Sequence, residues 1–258
     1  MEELVIVLVC LIAGVGAGLG TGFAGMSAAA VIAPLLTTFL KVDAYEAVGI
    51  ALASDVLASA ASTLAYAKNK NLDIKNGIIM MVSVLAFTFV GSLLSSLLEG
   101  DTMGSLSVVL TLFLGLKFII KPVTTTKDKV EKRSKKAQVI GSILCGSIVG
   151  FICGFVGAGG GMMMLIILTL VLGYELKTAI GTSVFIMTFT ALTGAVSHFA
   201  IRGMHNAYIL VLCVIFTLMF ALIGSKIANK VDNKKLNRLL GSILVVLGAV
   251  ILLVKHVF

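Results

Sequence analysis

Two apolar stretches, residues 4–40 and 138–172, are each far too long for one membrane span, and a run of glycines interrupts each of them. In the first the glycines are Gly14, Gly16, Gly18, Gly20, Gly22 and Gly25; in the second they are Gly150, Gly154, Gly157, Gly159, Gly160 and Gly161. A helix crossing a ~30 Å hydrocarbon core uses about 20 residues, so each stretch must break and turn inside the apolar phase. Segments 47–67, 76–98, 104–120, 179–200, 207–228 and 239–254 each have the length of a single span. With 59% hydrophobic and 12% charged residues and a mean hydropathy of +1.13, the chain has too little charged surface for a soluble fold. The same numbers exclude disorder, collagen and coiled coil. A net charge of +8 does not point to nucleic acid, because the basic residues sit in short clusters between apolar runs.

The two long stretches open two related halves. Gly18–Met26 (GLGTGFAGM) lies over Gly154–Met162 (GFVGAGGGM), Ala47-Val48-Gly49 over Ala179-Ile180-Gly181, Gly91-Ser92 over Gly224-Ser225, and Gly115 over Gly248. This is a tandem duplication: a first membrane repeat at 1–120, a basic linker at 121–137 and a second membrane repeat at 138–258. Cytoplasmic loops carry the Lys/Arg excess, and that excess orients the halves. If each broken stretch enters and returns to its own side, only Lys41, Arg202 and Lys255 of the 20 basic residues fall on the poor face. A single crossing per stretch splits them far more evenly. The expected fold is therefore an all-α polytopic membrane protein of two inverted repeats, each a glycine-broken hairpin plus three transmembrane helices. Both termini are expected outside the cytoplasm and the linker inside it. The start, Met1-Glu2-Glu3-Leu4, lacks the positive n-region of a signal peptide, so no cleaved leader is expected.

Inverted repeats with interrupted helices are a secondary-transporter signature, with the site expected between the breaks. The second arms begin near Met26 and Met162, where first-turn amides lack intrahelical partners and the helix dipole is positive. Glycine admits a ligand close to that backbone. Two such ends brought together form an anion site without a buried Lys or Arg, which assigns Gly20, Thr21, Gly22, Gly25 and Met26 from one break. From the other it assigns Gly157, Gly159, Gly160, Gly161 and Met162. The alternative is that the glycines only permit close helix packing, which suits Gly14, Gly18, Gly22, Gly150 and Gly154. Gly20-Thr-Gly-Phe-Ala-Gly25 also satisfies GxGxxG, but no strand of a soluble βαβ unit precedes it, so it is not a dinucleotide fingerprint.

Asp55 is the one acid well inside a span. A carboxylate there costs about 2.5–3.5 kcal/mol on insertion scales and is functional by default, as a carrier of a coupling proton or a ligand for a cation. Its counterpart in the second repeat is Met187. Among the hydroxyls on the helices after the breaks, Ser54, Thr182 and Ser183 are the substrate candidates, against the commoner fate of bonding their own helix. His198, near a span end, reads as structural, and consecutive Met162, Met163 and Met164 do not converge on a soft metal. Cys10, Cys145, Cys153 and Cys213 lie in apolar runs without metal or redox spacing. No cofactor, metal or catalytic group is expected.

The glycine run Gly154–Met162, the turn Ala179-IGTS-Val184 and the echo Gly18–Met26 are similar to those of the sulfite exporter TauE/SafE family of membrane transporters, over nearly the whole chain. The resemblance implies movement of small sulfur-containing anions (sulfite, sulfoacetate or related organosulfonates) across the cell membrane, proton-coupled, by alternating access. The partners are then a small anionic substrate and the lipid bilayer, with no nucleic acid and the oligomeric state left open. A cation or metal-ion permease centred on Asp55 is the alternative.

Overall fold

The computed structural model describes residues 2–95, 116, 119–120, 135–156, 160–239, 241–242, 245–246 and 249, and no strand occurs among them. Helix α1 runs Glu2–Ala24, α2 Ala29–Phe39, α3 Ala44–Lys68, α4 Ile74–Ser95, α5 Lys135–Val156 and α6 Gly160–Ile166. A π-helical turn, Ile167–Val171, extends α6, and α7 (Leu176–Arg202) and α8 (Ala207–Lys230) follow. The protein is an all-α polytopic membrane protein. By length and composition Glu3–Ala24, Ala44–Lys68, Leu176–Ala200 and Ala207–Lys230 can each cross a membrane. Most of the spans expected at 104–120 and 239–254, and all but the end of the linker at 121–137, lie outside the described residues.

Side-chain exposure follows the solvent the composition demands. Leu4, Leu8 and Ile12 on α1, and Val211, Ile215, Met219, Ile223 and Ile227 on α8, are exposed at four-residue spacing. Water would disfavour such stripes and lipid does not. The opposite faces bury small residues, so backbones approach closely. Gly14, Gly18 and Gly22 of α1 lie against Phe216, Thr217 and Phe220, and Ala221 and Ser225, of α8. A Cβ on Gly18 would stand 2.5 Å from the Thr217 carbonyl oxygen. Gly146 and Gly150 of α5 meet Met80, Ser83 and Val84 of α4 in the same manner. Here the packing reading of these glycines describes what they do.

The order of these contacts sets helix direction. Along α1–α8, α4–α5 and α3–α8, residue numbers rise together; the last pair is tied by Glu46–Asn206 at one end and Asn71–Asn229 at the other. Along α3–α7 they run oppositely, with Gly49 beside His198, Leu52 beside Gly194, Ser59 bonded to Thr188 and Tyr66 beside Gly181. Thus α1, α3 and α8 point one way and α4, α5 and α7 the other. Helices α1 and α5, α3 and α7, and α4 and α8 are each antiparallel. Helix α2, about 16 Å long, starts beside Asp55, near the middle of α3, and returns to the start of α3. The first broken hairpin therefore has one long and one short arm.

Candidate functional site

The first break occupies residues 25–28, later than the glycine run alone suggests, because Gly14–Gly22 all lie within continuous α1. Gly25 adopts φ +60°, which turns the chain out of the helix at no Cβ cost. Its N–H still reaches Thr21 O at 2.9 Å, while Met26 N–H reaches back to Gly20 O at 3.2 Å. Gly22 O, left without that helical donor, accepts the hydroxyl of fully buried Tyr66 at 2.9 Å. Beyond the break the first amides of α2 take protein partners. Ala28 N–H donates to Asp55 Oδ2 at 3.1 Å and Ala29 N–H to Ser27 Oγ at 3.3 Å. The positive end of α2 thus holds a carboxyl group of the chain itself.

Thr21 joins the two sides of the break. Its hydroxyl oxygen lies 2.9 Å from Met26 O and 3.3 Å from Asp55 Oδ1, and Thr21, Met26 and Asp55 are all fully buried. No charged side chain hydrogen-bonds Asp55 among the described residues.

The second break meets the first here. A Cβ on Gly161 would collide with the Gly25 carbonyl oxygen and stand 2.9 Å from Ser27 N, so the backbones of the two breaks are in direct contact. Ser183 of α7 touches both, its Oγ 3.2 Å from Gly25 O and 3.4 Å from Gly161 O. Met187 Sδ is 4.0 Å from the same hydroxyl. Asp55 faces the first break and Met187 the second, a carboxyl group on one side and a thioether on the other.

Of the residues singled out in the sequence, Thr21, Gly25, Met26, Asp55, Gly161 and Ser183 gather at this junction. Gly20 and Gly22 sit in the last turns of α1, Gly20 supplying a carbonyl to the break and Gly22 packing on α8. Gly160 and Met162 lie in the first turn of α6, and Gly157 and Gly159 lie outside the described residues. Ser54 and Thr182 are buried but turned elsewhere: Ser54 donates to Ile50 O of its own helix at 2.8 Å, and Thr182 accepts from Asp73 N at 3.2 Å, at the start of α4. His198 bonds Gly194 O at 2.9 Å and stacks on Tyr45. Cys10, Cys145 and Cys213 are buried, and none is in a disulfide among the described residues. Sequence reasoning missed Tyr66 and Ser27; a tyrosine inside an apolar span needs a hydroxyl partner, and that was the available signal.

The chain matches the family described as sulfite exporter TauE/SafE over residues 10–251. It belongs to that family. It is similar to the probable membrane transporter protein YunE of Bacillus subtilis (strain 168), with 29% identity over 228 residues, 82% of this chain and 84% of that protein. It is also similar to a probable membrane transporter protein of Methanocaldococcus jannaschii, with 28% identity over 207 residues, 76% of this chain and 74% of the relative. No solved structure matches it. Membership in the TauE/SafE family makes the chain a multi-pass membrane transporter.

Proposed function

We propose that this TauE/SafE protein is a secondary transporter of small sulfur-containing anions, sulfite, sulfoacetate or related organosulfonates, coupled to protons through Asp55. One observation carries the reading: two interrupted helices from sequence-related halves meet at Gly25–Ser27 and Gly161, beside the mid-helix acid of α3. Amides freed at such breaks bind anions without a buried cation. A neutral Asp55 leaves the positive end of α2 uncompensated and favourable to an anion, whereas an ionised Asp55 supplies the negative charge itself. Proton and anion then occupy the junction together.

Alternating access rocks one repeat against the other about the antiparallel α3–α7 pair. Polar ties between the repeats lie at both ends of that pair. At one end Glu46 accepts from the His205 and Asn206 amides at 2.8 and 2.7 Å; at the other Tyr174 OH donates to Asp73 at 2.8 Å and Asn71 to Asn229 at 2.8 Å. Opening either face breaks one set. The cell membrane is the proposed location, with both termini outside and the linker in the cytoplasm.

The second reading is a cation permease, favoured by the convergence of three oxygens, Asp55 Oδ1, Thr21 Oγ1 and Met26 O. Purified protein in proteoliposomes separates the two. Solid-supported-membrane currents and radiotracer counterflow are recorded for sulfite, sulfoacetate, taurine, sulfate, acetate and divalent metals, with and without a pH gradient. Saturable flux of sulfur oxyanions that loses its pH-gradient dependence in Asp55→Asn is expected. Flux of metals with none of any anion replaces the proposal with the permease.

A further inference from the structure

We infer that Thr21 is a hydroxyl switch that transmits the protonation state of Asp55 to the first helix break. This deepens the transport reading above and rests on it for its functional meaning. The argument starts from a proton inventory. Thr21 Oγ1 has two oxygen neighbours, Met26 O at 2.9 Å and Asp55 Oδ1 at 3.3 Å, and carries one hydrogen. An ionised carboxylate draws a hydroxyl to about 2.5–2.7 Å. Here the neutral main-chain carbonyl has the shorter contact and the carboxyl oxygen the longer one. Ala28 N–H stands 3.1 Å from Oδ2, also outside the charge-assisted range of about 2.7–2.9 Å. One hydrogen cannot serve both oxygens at once: while Thr21 donates to the nearer Met26 O, its lone pairs can accept a hydrogen from Asp55 Oδ1 when that carboxyl is protonated.

Removing that proton reverses the polarity at Thr21. The carboxylate has no hydrogen to give and is the stronger acceptor, so the Thr21 hydroxyl turns to it and leaves Met26 O. The bond lost is the side-chain tie across the break, between the last turn of α1 and the residue after Gly25. Main-chain bonds from Gly25 and Met26 remain, so the break loosens without unravelling. The proton itself departs to the aqueous face open to the site.

No other titratable group intervenes in this exchange. Of the elements packed around Asp55, α2 carries none and α1 carries Glu2, Glu3 and Cys10, toward its outer end. Helix α7 carries Lys177, His198 and Arg202 near its two ends, and α8 carries Tyr208, Cys213, Lys226 and Lys230. Asp55's own helix adds Tyr45, Glu46, Tyr66 and Lys68. Glu46 and Tyr66 are bonded elsewhere, and among the described residues none of these groups hydrogen-bonds Asp55.

The test is infrared spectroscopy of the full chain in proteoliposomes across a pH series, for the wild type, Asp55→Asn, Thr21→Ser and Thr21→Val. The wild type is expected to show a protonated-carboxyl C=O band absent from Asp55→Asn and lost as pH rises. In Thr21→Val the hydroxyl is lost to both forms of Asp55, which use it differently, so the midpoint is expected to move away from the wild type's. Thr21→Ser restores the wild-type midpoint, a rescue that a purely steric role for Thr21 would not produce. Thr21→Cys, a weak donor of similar size, replaces Thr21→Val if the latter does not fold. Absence of an Asp55-specific band at every pH, or a Thr21→Val midpoint equal to the wild type, overturns the inference. The transport reading fails separately: no anion counterflow alongside an intact Thr21-dependent titration removes the substrate assignment and leaves the switch standing.

Discussion

Gly161→Ala tests whether the two breaks are in the contact described. The added Cβ meets the Gly25 carbonyl oxygen, the Met187 sulfur and, at 2.9 Å, Ser27 N. Met187 can swing aside, since its contact is the end of a flexible side chain. Gly25 and Ser27 cannot, because main-chain bonds from Gly25 and Met26, the Thr21–Met26 bond and the Asp55–Ala28 bond hold the break loop. Overpacking of this kind costs about 1–3 kcal/mol, and alanine in place of a helical glycine offsets up to about 1 kcal/mol. The net expectation is a loss of about 1–2 kcal/mol, and thus a melting temperature lower by about 2–8 °C at ~2–4 °C per kcal/mol for a chain of this size. Gly194→Ala is the control, because its Cβ meets only the tip of Leu52, at 2.8 Å, which can rotate; it should melt within about 2 °C of the wild type. The assay is thermal unfolding in detergent with a thiol-reactive fluorophore, which reports exposure of buried Cys10, Cys145 and Cys213. A Gly161→Ala protein that melts at or above the wild type, alongside an unchanged control, would refute the direct contact of the breaks.

The remaining predictions use the same assay. Tyr66→Phe removes the hydroxyl that donates to Gly22 O at the end of α1 and should cost about 1–3 kcal/mol, the penalty for a buried carbonyl left unpaired; an unchanged melt would mean that another donor reaches that oxygen. Glu46→Ala strips two amides at the start of α8 of their acceptor and should cost about 1–2 kcal/mol, with Glu46→Gln intermediate because one oxygen remains. Equal melting of Glu46→Ala and the wild type would show that water replaces the carboxylate there.

Much of this architecture is legible in local pattern. Runs of about 20 apolar residues identify spans because the hydrocarbon core fixes their length, and the described helices Ala44–Lys68 and Ala207–Lys230 fall on expected segments. The place of the break is less legible. Gly14, Gly16, Gly18, Gly20 and Gly22 look like helix interruptions, yet α1 continues through them to Ala24. Small residues weaken a helix in water but are favoured where a second backbone must come close in lipid, and α8 is that backbone. Of the glycines from Gly14 to Gly25, only Gly25 has the left-handed φ that turns the chain, and nothing in its immediate sequence distinguishes it from Gly22.

The hydroxyls divide for a related reason. Ser54, Asp55, Thr182 and Ser183 are adjacent pairs on their helices, and neighbours on a helix point about 100° apart. Asp55 and Ser183 face the junction, while Ser54 and Thr182 bond Ile50 O and Asp73 N. Sequence spacing cannot say which of two adjacent residues faces inward, because helix rotation depends on every neighbour at once.

What the sequence by itself determined is the solvent, the helical class, the duplicated pattern and the presence of one acid deep in an apolar run, all consequences of local hydrophobicity and composition. The tertiary structure decided which groups satisfy the broken backbone. Asp55 reaches Ala28 across 27 residues and Ser183 reaches Gly25 across 158. Such pairings depend on how whole helices rotate and slide against one another, and on the need of every buried amide and carbonyl for a partner. That need is local, but its fulfilment is a property of the assembled fold.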